Sequence, residues 1–194
     1  MRPTSTIEIP AYYARLNDYF PAEELKKPEQ LEDLVKNQPL YRKVEDTNYL
    51  LLYAEFSDFI FVDYLLVDSA IRGKGLGSKV MKRLKSLGKA IVLEVEQTDP
   101  ANPDTIRRRK FYGRHGFKEA TGVAYRREDP HGQPFEMDIL VWSPNHRENV
   151  DDEEALDMMA TVCEEVHNFR ARKYYGRIPA DPDEVLSLES DLVS

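Results

Sequence analysis

The chain has 194 residues, 41% of them hydrophobic and 32% charged, which suits one core with short extensions and argues against a multi-domain assembly. Its 27 basic and 35 acidic residues leave a net charge of -8, which argues against a protein whose main task is to coat nucleic acid or an anionic membrane. The charge is segregated: residues 68–127 hold 15 basic and 6 acidic groups and residues 128–194 hold 5 basic and 17 acidic groups, so the basic middle third raises the question of an anionic ligand. The single cysteine, Cys163, excludes an internal disulfide and a cysteine-rich zinc site. The opening MRPTSTIEIP has no apolar signal core, and no run approaches the roughly 20 apolar residues of a membrane span, so a cytoplasmic protein is expected.

Residues 11–37 read as two short helices broken at Phe20-Pro21, with Leu25, Leu31, Leu34 and Val35 near helical spacing and Pro28 as a kink or a start. Three apolar runs follow, LYRKVE, NYLLLYAEF and FIFVDYLLV, parted by Asp46-Thr47 and Ser57-Asp58, as successive strands joined by tight turns. The third, 59–67, is nearly all apolar, as in a strand covered on both faces, and Asp63 interrupts it. A glycine-bearing loop leads into a basic amphipathic helix with Val80, Met81, Leu84 and Leu87 on one face, closed by Gly88. A buried strand spans 90–96. Asn102 and Pro103 then open a helix that runs through TIRRRKFYGRHGF to Gly116. Two strands are expected near 119–127 and 135–142, then one continuous helix, DDEEALDMMATVCEEVHNFRARKYY, with acids at its start and bases at its end. The resulting division is a core over 1–145, a helical extension of the same domain over 146–178 and a loosely ordered acidic tail over 179–194.

The loop Arg72-Gly73-Lys74-Gly75-Leu76-Gly77-Ser78 lies between a buried strand and a helix. Glycines let a backbone approach a ligand closely, and free N–H groups at a helix start favour an anion. The segment has neither the GKS of a Walker A loop nor a GxGxxG spacing, and a tight turn is the plain alternative; Arg72 and Lys74 favour an anion site.

The stretch Val67 to Ser78, VDSAIRGKGLGS, resembles the acetyl-CoA pyrophosphate loop of GNAT N-acetyltransferases, with Arg72, Gly75 and Gly77 at the pattern positions. KFYGRHGF, Lys110 to Phe117, is similar to a second signature of that family, and YAEFSDFIFVDYLLV with EVE resembles its Gram-positive bacterial members. The resemblance implies an α/β fold with a mixed, mostly antiparallel central sheet, flanking helices and an extra C-terminal helix outside the common core. It implies acetyl-CoA as cosubstrate, no metal, and an amine acceptor that attacks the thioester directly in a ternary complex. Residues 72–78 (Arg72, Gly73, Lys74, Gly75, Leu76, Gly77 and Ser78) are then expected to cradle the phosphates. Leu65, Leu66 and Val67 would follow the pantetheine arm where their strand splays from the next, with Thr105 and Tyr112 also at the cofactor.

By the same resemblance Tyr112 is the candidate proton donor to the leaving sulfur, against packing as core beside Phe111 or only hydrogen-bonding the cofactor. Asp63 is the candidate base, since an acid in an apolar strand is costly to bury without a partner or a task. An edge position facing solvent, a structural pair with a basic side chain, or a substrate-orienting anion with water as base are its alternatives, and Glu94 and Glu96 on one face of the next strand are rivals. The sequence departs from the family pattern at Thr105, where asparagine is frequent, and at Arg108, where a small residue is usual. Arg107 to Lys110 read as a solvated helix with one or two members near the phosphates rather than a nucleic-acid site. His115 reads as a surface or capping residue, and His131, His146 and His167 lack metal-ligand spacing. Cys163 reads as buried packing and Trp142 as core or interface. A cationic acceptor fits the acidic flanks; monomer or homodimer is open, and the alternative function is an acetyl-CoA-binding sensor that docks a partner through the last helix.

Overall fold

A computed structural model of the chain describes residues 9–68, 70, 73–129, 132–145 and 150–189. Strands β1 (Tyr41–Glu45), β2 (Tyr49–Glu55) and β3 (Phe59–Val67) form the expected antiparallel meander. Asp46 N–H donates to Tyr49 O in the first turn and Phe56 N–H to Phe59 O in the second. Next, α3 (Leu76–Lys85) crosses over to β4 (Ala90–Glu96), which runs parallel to β3, as a crossover helix permits. After α4 (Pro103–Arg114) come β5 (Lys118–Glu119), β6 (Val123–Glu128) and β7 (Pro134–Trp142). The sheet order is β1-β2-β3-β4-β7-β6-β8, where β8 is Leu186–Leu188, with β5 also on β7, and every pair except β3/β4 is antiparallel.

Two apolar layers cover the sheet. On one face α3 and α4 pack Val80, Met81, Leu84 and Tyr112 against Ile60 and Leu93. On the other, α1 (Ala11–Asn17), α2 (Pro28–Asn37) and α5 (Asp152–Val162) pack Leu16, Leu34 and Met159 against Leu52 and Phe61. Pro28 is a start: it opens α2 behind Lys27, where its missing N–H costs nothing, and residues 22–24 form a separate 3-10 turn.

The register of β3 matters most for function. Leu52 pairs with Tyr64 and Tyr53 with Val62, so Asp63 is an extra residue, a β-bulge. The bulge resets the two-residue alternation: Ile60, Val62 and Leu65 face α3 and α4, whereas Phe61, Tyr64 and Leu66 face α1 and α2. The ladder to β4 also stops there, at Val62 opposite Leu93, and beyond it the two strands are no longer paired.

The C-terminal third differs from the expected single helix. α5 ends at Val162, a π-helical turn spans Cys163–His167, Arg170 takes a left-handed φ of 48°, and α6 (Ala171–Tyr175) follows. The wide turn brings His167 inward to hydrogen-bond Glu94 on β4, a contact that outweighs regular helix continuation. The loosely ordered tail is likewise corrected over 179–189. There α7 (Pro182–Val185) and β8 (Leu186–Leu188) add a strand to β6 and bury Ala180, Val185 and Leu186, while 190–194 lie outside the described residues. Because α5 shares the core of the sheet, replacing the fully buried Met159 by Ala should cost about 2–5 kcal/mol. A denaturation midpoint unmoved by Met159→Ala would show that the extension is separate from the core.

Candidate active site

The loop and α4 signatures meet on one face of the sheet. Gly75 sits at φ 80°, a left-handed conformation costly for other residues, and starts α3 with no side-chain cap, so the N–H groups of its first turn are left for a ligand. A Cβ on Gly77 would lie 3.1 and 3.2 Å from ring carbons of Phe111, so glycine here lets α3 approach α4. Ser78 Oγ and His115 Nε2 lie 3.0 Å apart and tie the same two helices; His115 is the C-cap of α4. Between them opens a cavity of about 280 Å³, walled by Leu65 and Val67 of β3, the loop glycines from Gly73 to Gly77, and Arg107 and Tyr112 of α4.

Of the residues singled out in the sequence, Leu65, Val67, Gly73, Gly75, Leu76, Gly77, Ser78 and Tyr112 are brought to this cavity. Leu66 turns to the opposite core, Lys74 is exposed on the loop, and Arg72 lies outside the described residues. Thr105 is not on the wall: its hydroxyl donates to Asn102 O at 2.8 Å and accepts from Asp99 N–H at 2.9 Å, bracing the turn into α4. The basic run is also corrected. Arg107 pairs with Asp104 at the surface, but Arg108 is directed inward to Glu96 at 2.7 Å, and Arg109 pairs with Asp138 at 2.6 Å and with Glu119.

A second, smaller cavity of about 30 Å³ lies where β3 and β4 part, and it shares Leu65, Arg108 and Tyr112 with the first. Its walls carry Glu24, Asp63, Glu94, Arg108 and Arg127. Asp63 holds Lys26 Nζ between its two oxygens at 2.7 and 2.8 Å and accepts a hydrogen bond from the Tyr41 hydroxyl. The next residue, Tyr64, donates its hydroxyl to Glu24 O at 2.8 Å and accepts from Lys26 N–H at 3.1 Å. Glu94 accepts from Tyr125 at 2.7 Å and Arg127 at 3.1 Å, and lies 2.7 Å from His167 Nε2. Burial alone would raise the Glu94 carboxyl; His167, Arg127 and Tyr125 outweigh it and hold the group well below the usual range. Burial, then the charge of Arg127, lowers His167 to about 4, so at neutral pH its Nε2–H donates to Glu94 and its Nδ1 is left without a partner.

Glu24, in the 3-10 turn, is the residue that the sequence does not single out. Its Oε2 lies 3.8 Å from Arg108, and its buried Oε1 has no hydrogen-bond partner. In AEELKK it reads as one polar position of a surface helix; only the demand of Asp63 for a cation hinted that this segment would reach the sheet. Tyr112 is buried between Phe111 and Phe117, and burial, partly offset by Arg108, pushes its hydroxyl up to about 12, so it keeps its proton across the neutral range. Cys163, also raised to about 12 by burial, is packing, and Trp142 is core. Among the described residues no group of three His, Cys, Asp or Glu side chains is arranged to hold a metal ion, and no helix is long and apolar enough to cross a membrane.

Comparison with known proteins identifies the family and the fold. A family model described as an acetyltransferase (GNAT) domain matches residues 42–119, from β1 through Tyr112 to β5. The Bacillus subtilis (strain 168) protein named "Putative acetyltransferase YjbC" is 40% identical over 179 residues, 91% of this chain and 92% of that protein. A solved structure from Bacteroides thetaiotaomicron, named as a GNAT-family acetyltransferase under the same qualifier, superposes with a TM-score of 0.62 at 22% identity, covering 86% of this chain and 93% of that one, and so shares the fold. With the glycine loop, the splayed strands and the Tyr112 helix assembled on that fold, the chain belongs to the GNAT family of acetyltransferases, whose reaction is acetyl transfer from acetyl-CoA.

Proposed function

We propose that the protein transfers the acetyl group of acetyl-CoA to a primary amine by direct attack, with both substrates bound together. One observation carries this reading: Tyr112 forms part of the wall of both cavities, so a thioester in the larger one and an amine in the smaller would meet at its hydroxyl. Acetyl-CoA supplies an activated carbonyl and a thiolate leaving group. The chain's own residues bind and orient. The first-turn N–H groups of α3, with Gly73 and Gly75 giving close approach, hold the pyrophosphate, and Arg107 on the wall and Lys74 on the loop add positive charge. The backbone of Leu65, Leu66 and Val67, past the end of the β3/β4 ladder, pairs with the pantetheine amides, and the parted strands give the arm its path.

Tyr112 donates its proton to the departing sulfur, and Arg108 beside it stabilises the phenolate that forms. Asp63 is occupied by Lys26 and Tyr41. With both oxygens engaged it acts as an anchor of the acceptor side, the structural pair among the roles open to it. Thr105 shapes the turn into α4 and so places Tyr112.

Tyr112→Phe should lower turnover by about 10²–10⁴-fold while leaving acetyl-CoA affinity within a few-fold, measured by thiol release and calorimetry. Equal turnover would remove Tyr112 as the acid. Gly77→Val should press on Phe111, narrow the larger cavity and weaken acetyl-CoA binding about tenfold or more, which is at least about 1.4 kcal/mol. An unchanged dissociation constant would place the cofactor elsewhere.

A further inference from the structure

We propose that Glu24, on the turn between α1 and α2, is the group that receives the acceptor amine as an ammonium ion and takes its proton. The inference rests on the acetyltransferase reading above and deepens it by naming the residue and the charge state of the substrate. Four carboxyls converge on the gap between β3 and β4, and three cations meet them. Asp63 on β3 has Lys26, Glu94 on β4 has Arg127 from β6, and Glu96 on β4 has Arg108 from α4. With His167 neutral, Glu24 is the acid left over. Arg108 is its only near cation among the described residues, at 3.8 Å, and is bound more closely to Glu96.

The side chain of Glu24 is only 10% exposed, and its Oε1 is buried with no hydrogen-bond partner in a cavity that also contains Tyr112. A buried carboxyl oxygen without a partner costs on the order of 1–3 kcal/mol or more, so it persists where it has a ligand to meet. The cavity volume of about 30 Å³ exceeds what one water needs and suits an ammonium head group. The position is held firmly: the carbonyl of Glu24 accepts from Tyr64, and Lys26, two residues on, is bound by Asp63. Burial, then a hydrogen bond with Glu96 and the charge of Glu96, pushes the Glu24 carboxyl up to about 9, against the pull of Arg108. An alkylammonium of pKa near 10.4 is close to that value, so proton transfer between the two is nearly balanced, and the arriving cation itself favours the ionised carboxylate.

The protons balance. The nitrogen arrives with three. One passes to Glu24 and on to solvent; the freed lone pair forms the C–N bond as the C–S bond breaks. Tyr112 gives its proton to the sulfur and recovers the second from the nitrogen, and the third stays on the amide. The net products are the acetylated amine, free thiol and one released proton.

The test uses the full chain with acetyl-CoA and a panel of primary alkylamines, following thiol release, acetyl-CoA binding and thermal unfolding. Glu24→Gln should lower kcat/KM for the amine by roughly 100-fold or more, leave the acetyl-CoA dissociation constant unchanged, and leave the melting temperature equal or higher, because an unmatched buried acid has been removed. Glu24→Asp should recover part of the rate. Transfer by Glu24→Gln within about twofold of the unaltered protein, or a lower melting temperature accompanied by lost acetyl-CoA binding, would overturn the role of Glu24 while leaving the acetyltransferase reading intact. If the unaltered protein acetylates none of the amines, both readings fall.

Discussion

The ion pair of Lys26 with Asp63 is the contact on which the rest of the arrangement depends. Both side chains are almost wholly buried, at 5% and 4% exposure, and removing two charges from water costs several kcal/mol each unless geometry is close and the remaining positions are satisfied. Here the geometry is close, with two short contacts from one ammonium and a phenol hydroxyl completing the carboxylate. Asp63 is also the extra residue of the β3 bulge. One residue thus ends the regular ladder, turns Leu65 toward the α3–α4 face, and fixes the segment that carries Glu24 to the opposite one.

Charge is distributed around that anchor with little slack. Arg108, placed where this family usually has a small residue, neutralises Glu96 and packs over the rings of Tyr19 and Phe20 beside Tyr112. Arg127 and His167 satisfy Glu94 from β6 and from the π turn. The C-terminal extension therefore braces Glu94, a wall residue of the smaller cavity, as well as filling the core, and its turn is wide because a regular helix would not deliver His167 to Glu94. Pairing three acids with three cations leaves the fourth carboxyl, Glu24, without a cation of its own.

Much of the fold was legible because its signals are local. The glycines at 73, 75 and 77 mark a strand-to-helix turn, the apolar run 59–67 marks a central strand, and the KFYGRHGF segment carries Tyr112 to the cavity. What escaped depends on contacts far apart in the chain. Asp63 was visible as an anomaly, but its partner is 37 residues away in a segment that reads as an ordinary polar helix. Arg108 and Arg109 look like solvated charge until β4, β5 and β7 bring Glu96, Glu119 and Asp138 beneath them. The tail composition suggested disorder, yet four residues of α7 and three of β8 are held by burial and by the open edge of β6.

The central claim is that Asp63 and Lys26 act as one unit, and a double-mutant cycle on unfolding free energy tests it most directly. Lys26→Met and Asp63→Asn should each destabilise by about 3–5 kcal/mol, because each strands a buried partner. The double variant should lose much less than the sum, with a coupling of about 1–3 kcal/mol. Losses that add within about 0.5 kcal/mol would show the two side chains to be independent and would contradict the account.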